Sequence, residues 1–321
     1  MPTLADFPHW FMAGVAVSLG LAFGSFLNVV IYRLPLGKSL VHPGSTCPAC
    51  GKAIRAYDNI PVLGWLLLRG RARCCGTRIS VRYPLVELCG GLLAWAVLDR
   101  VVLALPPTTV WWVGLGSFSV HLALGLGLVA AAFIDLEHMY LPDGITVGGA
   151  VLGLVSVPLR PDMTFVDAGL GAALGFLIVW LPFDVGYRAL RGRTGMGLGD
   201  AKLAMLAGAW FGWPGAVFAL LGGAIQGTVV AIGVFAARGR IDEPEAVRRE
   251  REELQQRIDA AEGEERLALE RERDADPIGH EPEAGLGKAR LAFGPFLALG
   301  TLEFMLFGEA ITHEYLWLVL G

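Results

Sequence analysis

WWVGLGSFSVHLALGLGLVAAAFIDLEHMYLPD, residues 111–143, is the stretch that decides the fold. It completes a run from Val101 to Ile134, 34 residues without a charge, that stops at Asp135. About 20 apolar residues cross the hydrocarbon core of a bilayer, so this run is long enough to span one. The rest of the chain repeats the pattern. Of 321 residues, 54% are hydrophobic and 17% are charged, and the mean hydropathy is +0.55. Those values exclude a disordered chain, a basic nucleic-acid binder and an ordinary soluble enzyme. The charge is also concentrated: Arg238 to Arg290 holds 16 acids and 11 bases, leaving 14 acids and 15 bases for everything else. Glycine, 43 of 321 residues, is about twice as frequent as usual. Small residues let membrane helices approach closely.

Working outward, Phe7 to Tyr32 is uncharged over 26 residues. It lacks basic residues before it and a clear cleavage site after it, so it reads as a retained helix and not as a signal peptide. Pro106-Pro107 ends a preceding helix that begins near Leu85. Leu203 to Ala237 is 35 uncharged residues interrupted by Trp213-Pro214-Gly215, which predicts a short helix and a longer one. The expected fold is therefore all-α and polytopic, with about eight transmembrane helices near 10–31, 85–104, 111–134, 144–159, 166–184, 200–212, 215–237 and 292–309. Between the first two, Arg33 to Tyr83 carries nine bases and one acid, Asp58. By the positive-inside rule that loop is cytoplasmic, and with eight crossings both termini face outward. The chain thus divides into a first helix (1–32), a cytoplasmic cysteine-containing, zinc-ribbon-like loop domain (33–84), a transmembrane core (85–237), a charged cytoplasmic insert (238–290) and a last helix (291–321).

Ionisable groups beside membrane helices are costly and so are functional suspects. Asp135 ends the third span, and Asp200 opens the sixth in Gly195-Met196-Gly197-Leu198-Gly199-Asp200-Ala201-Lys202. The topology puts both at the cytoplasmic membrane face. Two carboxylates that meet cannot both ionise comfortably; such a pair supplies an acid and a base to activate water for peptide cleavage. Gly197 and Gly199 remove side chains where a substrate backbone would approach. A helix N-terminus favours Asp200 as the anion. Each aspartate alone also has a plain structural reading, Asp200 as an N-cap and Asp135 as a water-facing helix end. Glu137, His138 and Asp143 read as a solvated turn, Asp184 as a helix-end residue, and Glu303 as a group facing other helices.

Cys47, Cys50, Cys74 and Cys75 share the cytoplasmic loop. A reducing compartment disfavours disulfides. Four thiolates can hold a tetrahedral zinc, with Cys-x2-Cys as the usual half-site. The alternative is a loop of free thiols. Cys89 lies within the second helix and reads as a small apolar residue. In the insert, Glu243 to Arg273 reads as helix: it is rich in helix formers and has Glu245–Arg249, Glu253–Arg257 and Glu262–Arg266 at i,i+4. Val247, Leu254, Ile258 and Ala261 make a thin apolar stripe, too short for a coiled coil. It reads as a solvated extension, with an arm that docks a cytoplasmic partner as the alternative.

The motifs around the two aspartates resemble those of the prepilin peptidases, polytopic aspartic proteases of the Gly-x-Gly-Asp class. The likeness rests on Asp135 with Leu141-Pro142-Asp143 and on Gly195 to Lys202. It extends to Gly24-Ser25-Phe26-Leu27-Asn28, Asp58-Asn59-Ile60-Pro61, Arg82-Tyr83-Pro84-Leu85-Val86-Glu87 and Phe293-Gly294-Pro295-Phe296. Six ordered motifs carry far more weight than one Gly-x-Gly-Asp. The resemblance implies that Asp135 and Asp200 are the catalytic dyad, acting without a metal or a covalent intermediate. It implies a multi-pass protein of the bacterial inner membrane whose substrates are type IV prepilins or type II secretion pseudopilins, cut at the cytoplasmic face. It further implies N-methylation of the new N-terminus with S-adenosylmethionine. No Gly-x-Gly-x-x-Gly marks a nucleotide site, so the donor's binding residues are not assigned. The family pattern of two Cys-x2-Cys pairs would put ligands at positions 72 and 75, but position 72 is Ala72. Cys47, Cys50 and Cys75 keep their roles as zinc ligands, and Cys74 has to shift to serve as the fourth. The family usually has a short loop where the insert lies. The rival reading is an ion- or proton-coupled transporter using Asp135, Asp200 and Glu303; two aspartates at one face, and no inverted repeat, count against it.

Overall fold

The computed structural model describes residues 1–47, 49–191, 196–239, 244–275 and 291–320. Gly195 of the glycine motif, and residues 240–243 and 276–290 of the charged insert, lie outside them. Among the described residues the protein is helical and has no β-strand, only isolated bridges. The α-helices are α1 (His9–Arg33), α2 (Leu63–Leu67), α3 (Arg82–Val97), α4 (Trp111–His138), α5 (Asp143–Val155), α6 (Phe165–Trp180), α7 (Tyr187–Arg191), α8 (Leu198–Arg238), α9 (Glu245–Ala260), α10 (Gly263–Ala275) and α11 (Gly294–Leu320). Among the described residues, four helical stretches have the length and apolarity to cross a membrane: His9–Arg33, Trp111–His138, Phe165–Leu190 and Leu198–Arg238. Asp143–Val155 and Gly294–Gly308 are shorter apolar segments. Leu221, Ile225, Val229 and Ile232 lie on one exposed face of α8, as in a helix solvated by lipid.

The chain forms two units, residues 1–130 with 158–160, and residues 131–157 with 161–321. In the first, α1 buries a stripe of Ala16, Gly20, Gly24, Leu27, Asn28 and Ile31. A Cβ at Gly20 would collide with the Gly90 carbonyl, and one at Gly24 would lie 2.9 Å from the Glu87 backbone, so α1 and α3 touch backbone to backbone. Packing of this kind replaces the hydrophobic drive that lipid removes. Asn28 donates to the Tyr83 carbonyl at 3.2 Å and fixes the register.

In the second unit α8 is the hub. Gly171 and Gly175 of α6 lie against the backbone of Gly208 and Ala204. Gly149 and Gly153 of α5 receive Leu206 and Trp210, and the Trp210 indole donates to the Gly149 carbonyl at 2.8 Å. Gly223 lies against the backbone of Phe296 and Leu297 in α11, at 3.0–3.1 Å for an added Cβ.

Local structure refines the expected boundaries. The interruption in α8 falls at Phe211 and Gly212 (φ +66°), just before the Trp-Pro-Gly sequence. Pro214 suits the first turn of a new helix, where its missing N–H costs nothing, so the irregular residues must precede it. The third span continues to His138, placing Asp135 in its last turn. Met139, at φ +48°, ends it in the left-handed position that glycine usually fills. The last helix starts at Gly294, with Pro295 in its first turn, and runs to Leu320. The expected single helix over the charged insert is two helices broken at Ala261–Gly263, with Gly263 at φ +61°. The apolar stripe is the reason: Ile258, Ala261 and Leu269 are buried against one another, which requires the chain to fold back. Glu262 falls in the break, and Arg266 pairs with Glu270 at 3.0 Å instead.

Candidate active site

Asp135 is buried, at 6% exposure, although it sits in the last turn of α4. Its Oδ2 accepts the Gly294 amide at 3.0 Å, a bond across 159 positions that ties the start of α11 to the end of α4. Gly294 is required by that approach: an added Cβ would stand 2.6 Å from Asp135 Oδ2 and 3.0 Å from Leu141 Cδ2. Leu141, itself buried, also fills the space over Gly199, where an added Cβ would lie 3.0 Å from its own Cβ. The same leucine therefore touches Gly294 beside Asp135 and Gly199 beside Asp200.

Asp200 occupies the third position of α8, and its amide bonds back to the Gly197 carbonyl at 3.1 Å. The carboxylates of Asp135 and Asp200 lie within electrostatic reach of each other. The two sequence candidates, 65 residues apart, thus converge at one end of the second unit. Asp143, the first residue of α5, accepts an ion pair from Lys202 at 2.6 Å. A lysine in the first turns of a helix opposes the helix dipole, and Asp143 offsets this. Glu303 is engaged by Gln226 of α8, whose amide donates to it at 2.7 Å. It faces another helix, as expected. Asp184 pairs with Arg188 at 2.7 Å.

Gly294 and Leu141 were motif residues with no role assigned from sequence. A backbone amide as the partner of Asp135 leaves no signal in side-chain type. The hint available was that glycine opens the last helix, where a free N–H points outward.

In the first unit, the sulfur atoms of Cys47, Cys50, Cys74 and Cys75 all lie within 4.8 Å of one another. Cys50 and Cys74 are 3.3 Å apart, Cys47 and Cys75 3.7 Å, and Cys74 and Cys75 3.8 Å. Zinc–sulfur bonds of about 2.3 Å in a tetrahedron need sulfurs about 3.8 Å apart, so the donor set fits that ion. Two similar turns build it. The Cys47 amide bonds to the Lys52 carbonyl and Gly51 returns to Cys47; the Ala72 amide bonds to the Thr77 carbonyl and Gly76 returns to Ala72. Gly51 and Gly76 both have φ near +70°. Ala72 thus holds the place in the second turn that Cys47 holds in the first, and Cys74, one residue before Cys75, supplies the sulfur instead. The Thr77 hydroxyl and amide hold the Cys75 thiol down at about 6, while the shared proton with Cys50, followed by burial, pushes Cys74 up to about 12.

Apolar helices long enough to cross a membrane, with Asp135 and Asp200 within electrostatic reach of each other at helix ends, define the class as a polytopic helical scaffold carrying a candidate acid pair. Comparison with known proteins gives the family. Residues 18–101 match the bacterial peptidase A24 N-terminal domain, and residues 122–232 match the type IV leader peptidase family. A prepilin leader peptidase/N-methyltransferase of Myxococcus xanthus is 45% identical over 223 residues, covering 69% of this chain and 63% of that protein. Proteins of the same name from Aeromonas salmonicida and Stutzerimonas stutzeri are 36% and 31% identical, covering 74% and 94% of this chain and 87% and 92% of their own. No solved structure matches the chain. The chain belongs to the type IV leader peptidase family. Nothing in these likenesses favours a transporter.

Proposed function

We propose that this protein is an aspartic endopeptidase that removes the basic leader from type IV prepilins or type II pseudopilins at the cytoplasmic face of the inner membrane, with Asp135 and Asp200 as its dyad. The observation that carries the reading is the convergence of these two carboxylates, one of them anchored by the Gly294 amide. The basic segment 33–84 supports the orientation, with eight crossings and both ends of the chain outside.

In this mechanism the two carboxylates hold one proton between them, because two adjacent charges repel. The ionised partner takes a proton from a bound water. The hydroxide oxygen adds to the scissile carbonyl carbon, and the protonated partner supports the carbonyl oxygen. Collapse breaks the C–N bond, and a proton passes to the leaving amine. The Gly294 amide withdraws one lone pair of Asp135 from this exchange and fixes the plane of the carboxylate. Leu141 packs beside both aspartates and limits water to what the reaction uses.

Cys47, Cys50, Cys74 and Cys75 would hold a structural zinc, closing the two turns of the loop domain. N-methylation of the new N-terminus, with S-adenosylmethionine as donor, follows the names of the relatives. Among the described residues there is no strand–turn–helix cradle of the kind that holds a nucleotide. Co-expression with a candidate prepilin tests the whole reading. Leader removal is read on a gel and methylation by mass spectrometry; an unprocessed prepilin beside a correctly inserted enzyme would refute it.

A further inference from the structure

Within the first unit, α2 presents apolar side chains outward by construction. Its inner edge is Gly64, where a Cβ would collide with the Asp58 carbonyl, and Trp65, whose indole donates to the Ile79 carbonyl at 3.1 Å. Asp58 is itself held by Arg73 through three contacts of 2.8–3.0 Å. With that edge fixed, Ile60, Leu63, Leu66 and Leu67 face out, at 45%, 55%, 55% and 77% exposure. Four large apolar side chains on five helical residues and their lead-in would be a liability in water.

Two observations say what covers them. First, the Val62 amide donates to Glu87 Oε2 at 2.6 Å, which sets the start of α2 against the second turn of α3. Near that turn α3 likewise exposes Leu85 and Leu88. Second, the segment is basic. Its one acid, Asp58, is spent on Arg73, while Arg69, Arg71 and Arg78 remain exposed. Arg71 and Arg78 are partners in an antiparallel bridge, which sets two like charges opposite each other. Such a pair is unfavourable unless an anion lies over it.

We propose that α2 lies in the plane of the membrane surface, its leucines set into an anionic phospholipid leaflet and Arg69, Arg71 and Arg78 on the phosphates. Apolar burial and basic attraction together are the two signals that hold a peripheral helix on a bilayer. A basic leader peptide is not the occupant, since these arginines repel it. The proposal rests on the reading of segment 33–84 as cytoplasmic loop of a membrane peptidase.

The test places photoreactive p-benzoylphenylalanine at position 67 of the full-length protein, in nanodiscs of phosphatidylglycerol or phosphatidylcholine. Position 67 is mostly exposed, so folding tolerates the change. The expected result is a lipid adduct, several-fold more abundant in phosphatidylglycerol, with that excess lost in the Arg71→Gln/Arg78→Gln variant. Cross-links to prepilin or to other parts of the chain, no adduct, or equal yields in the two lipids would overturn it. Leader removal is measured in the same discs. Cleavage without a lipid adduct defeats this proposal alone, and a lipid adduct without cleavage defeats the peptidase reading alone.

Discussion

Gly294→Ala is the smallest change that should disable the site. The new Cβ would stand 2.6 Å from Asp135 Oδ2, 3.1 Å from Cγ and 3.0 Å from Leu141 Cδ2. Carbon and carbonyl-type oxygen rest about 3.3–3.6 Å apart, so the carboxylate must retreat by nearly an ångström. That stretches the 3.0 Å bond from the Gly294 amide beyond hydrogen-bonding distance. A hydrogen bond to a charged group contributes about 1.5–3 kcal/mol, which is the expected loss of local stability. A displacement near 1 Å in a reacting group costs about 100-fold in rate. We therefore expect leader removal to slow about 100-fold. The assay is a time course of prepilin processing in membranes, normalised to enzyme level by immunoblot. Gly169→Ala and Gly233→Ala are the controls, because an added Cβ meets nothing within 4 Å at either position. If Gly294→Ala at normal level processes prepilin as fast as those controls, the placement of Asp135 by the last helix is wrong.

The loop domain, the helix packing and the insert give further tests. Cys74→Ala removes one thiolate of four; structural zinc sites bind with about 10–16 kcal/mol shared over their ligands, so the loss should be on the order of 100-fold in affinity by competitive chelation. Adding Ala72→Cys should restore it, since Ala72 holds the position in its turn that Cys47 holds in the other. Zinc takes thiolates, and the raised Cys74 thiol must give up its proton to become one, so affinity should fall as pH falls. Gly208→Val should lower the amount of folded protein in the membrane, measured by thermal stability in detergent, because even a Cβ there collides with the Gly171 carbonyl. Deleting residues 243–280 should leave processing unchanged, since α9 and α10 bury Ile258, Ala261 and Leu269 on each other; lost processing would give the insert a working role.

The helical, membrane-crossing character was legible because a long uncharged run such as Val101 to Ile134 leaves a helix no polar face to turn to water. Asp135 and Asp200 stood out for the complementary reason, as charges at the ends of such runs. What composition could not convey was backbone geometry. The amide of Gly294 meets Asp135 through close approach between helices distant in sequence, not through local preference. The insert misled as a single helix because helix propensity is summed locally, whereas the turn at Gly263 is dictated by burial of Leu269 against Ile258. Cys74 was legible as the fourth sulfur, but how it reaches the cluster was not: the second turn puts Ala72 where the first has Cys47, and the adjacent cysteine fills in.

The most direct test of the central claim is prepilin processing by Asp135→Asn, Asp200→Asn and the double variant, each confirmed to be inserted at the parental level. Asparagine keeps the size and removes the proton exchange. Each single variant should abolish leader removal, and the double should be no worse than either, because the carboxylates act as one unit. Leader removal at the parental rate by either single variant would contradict the account.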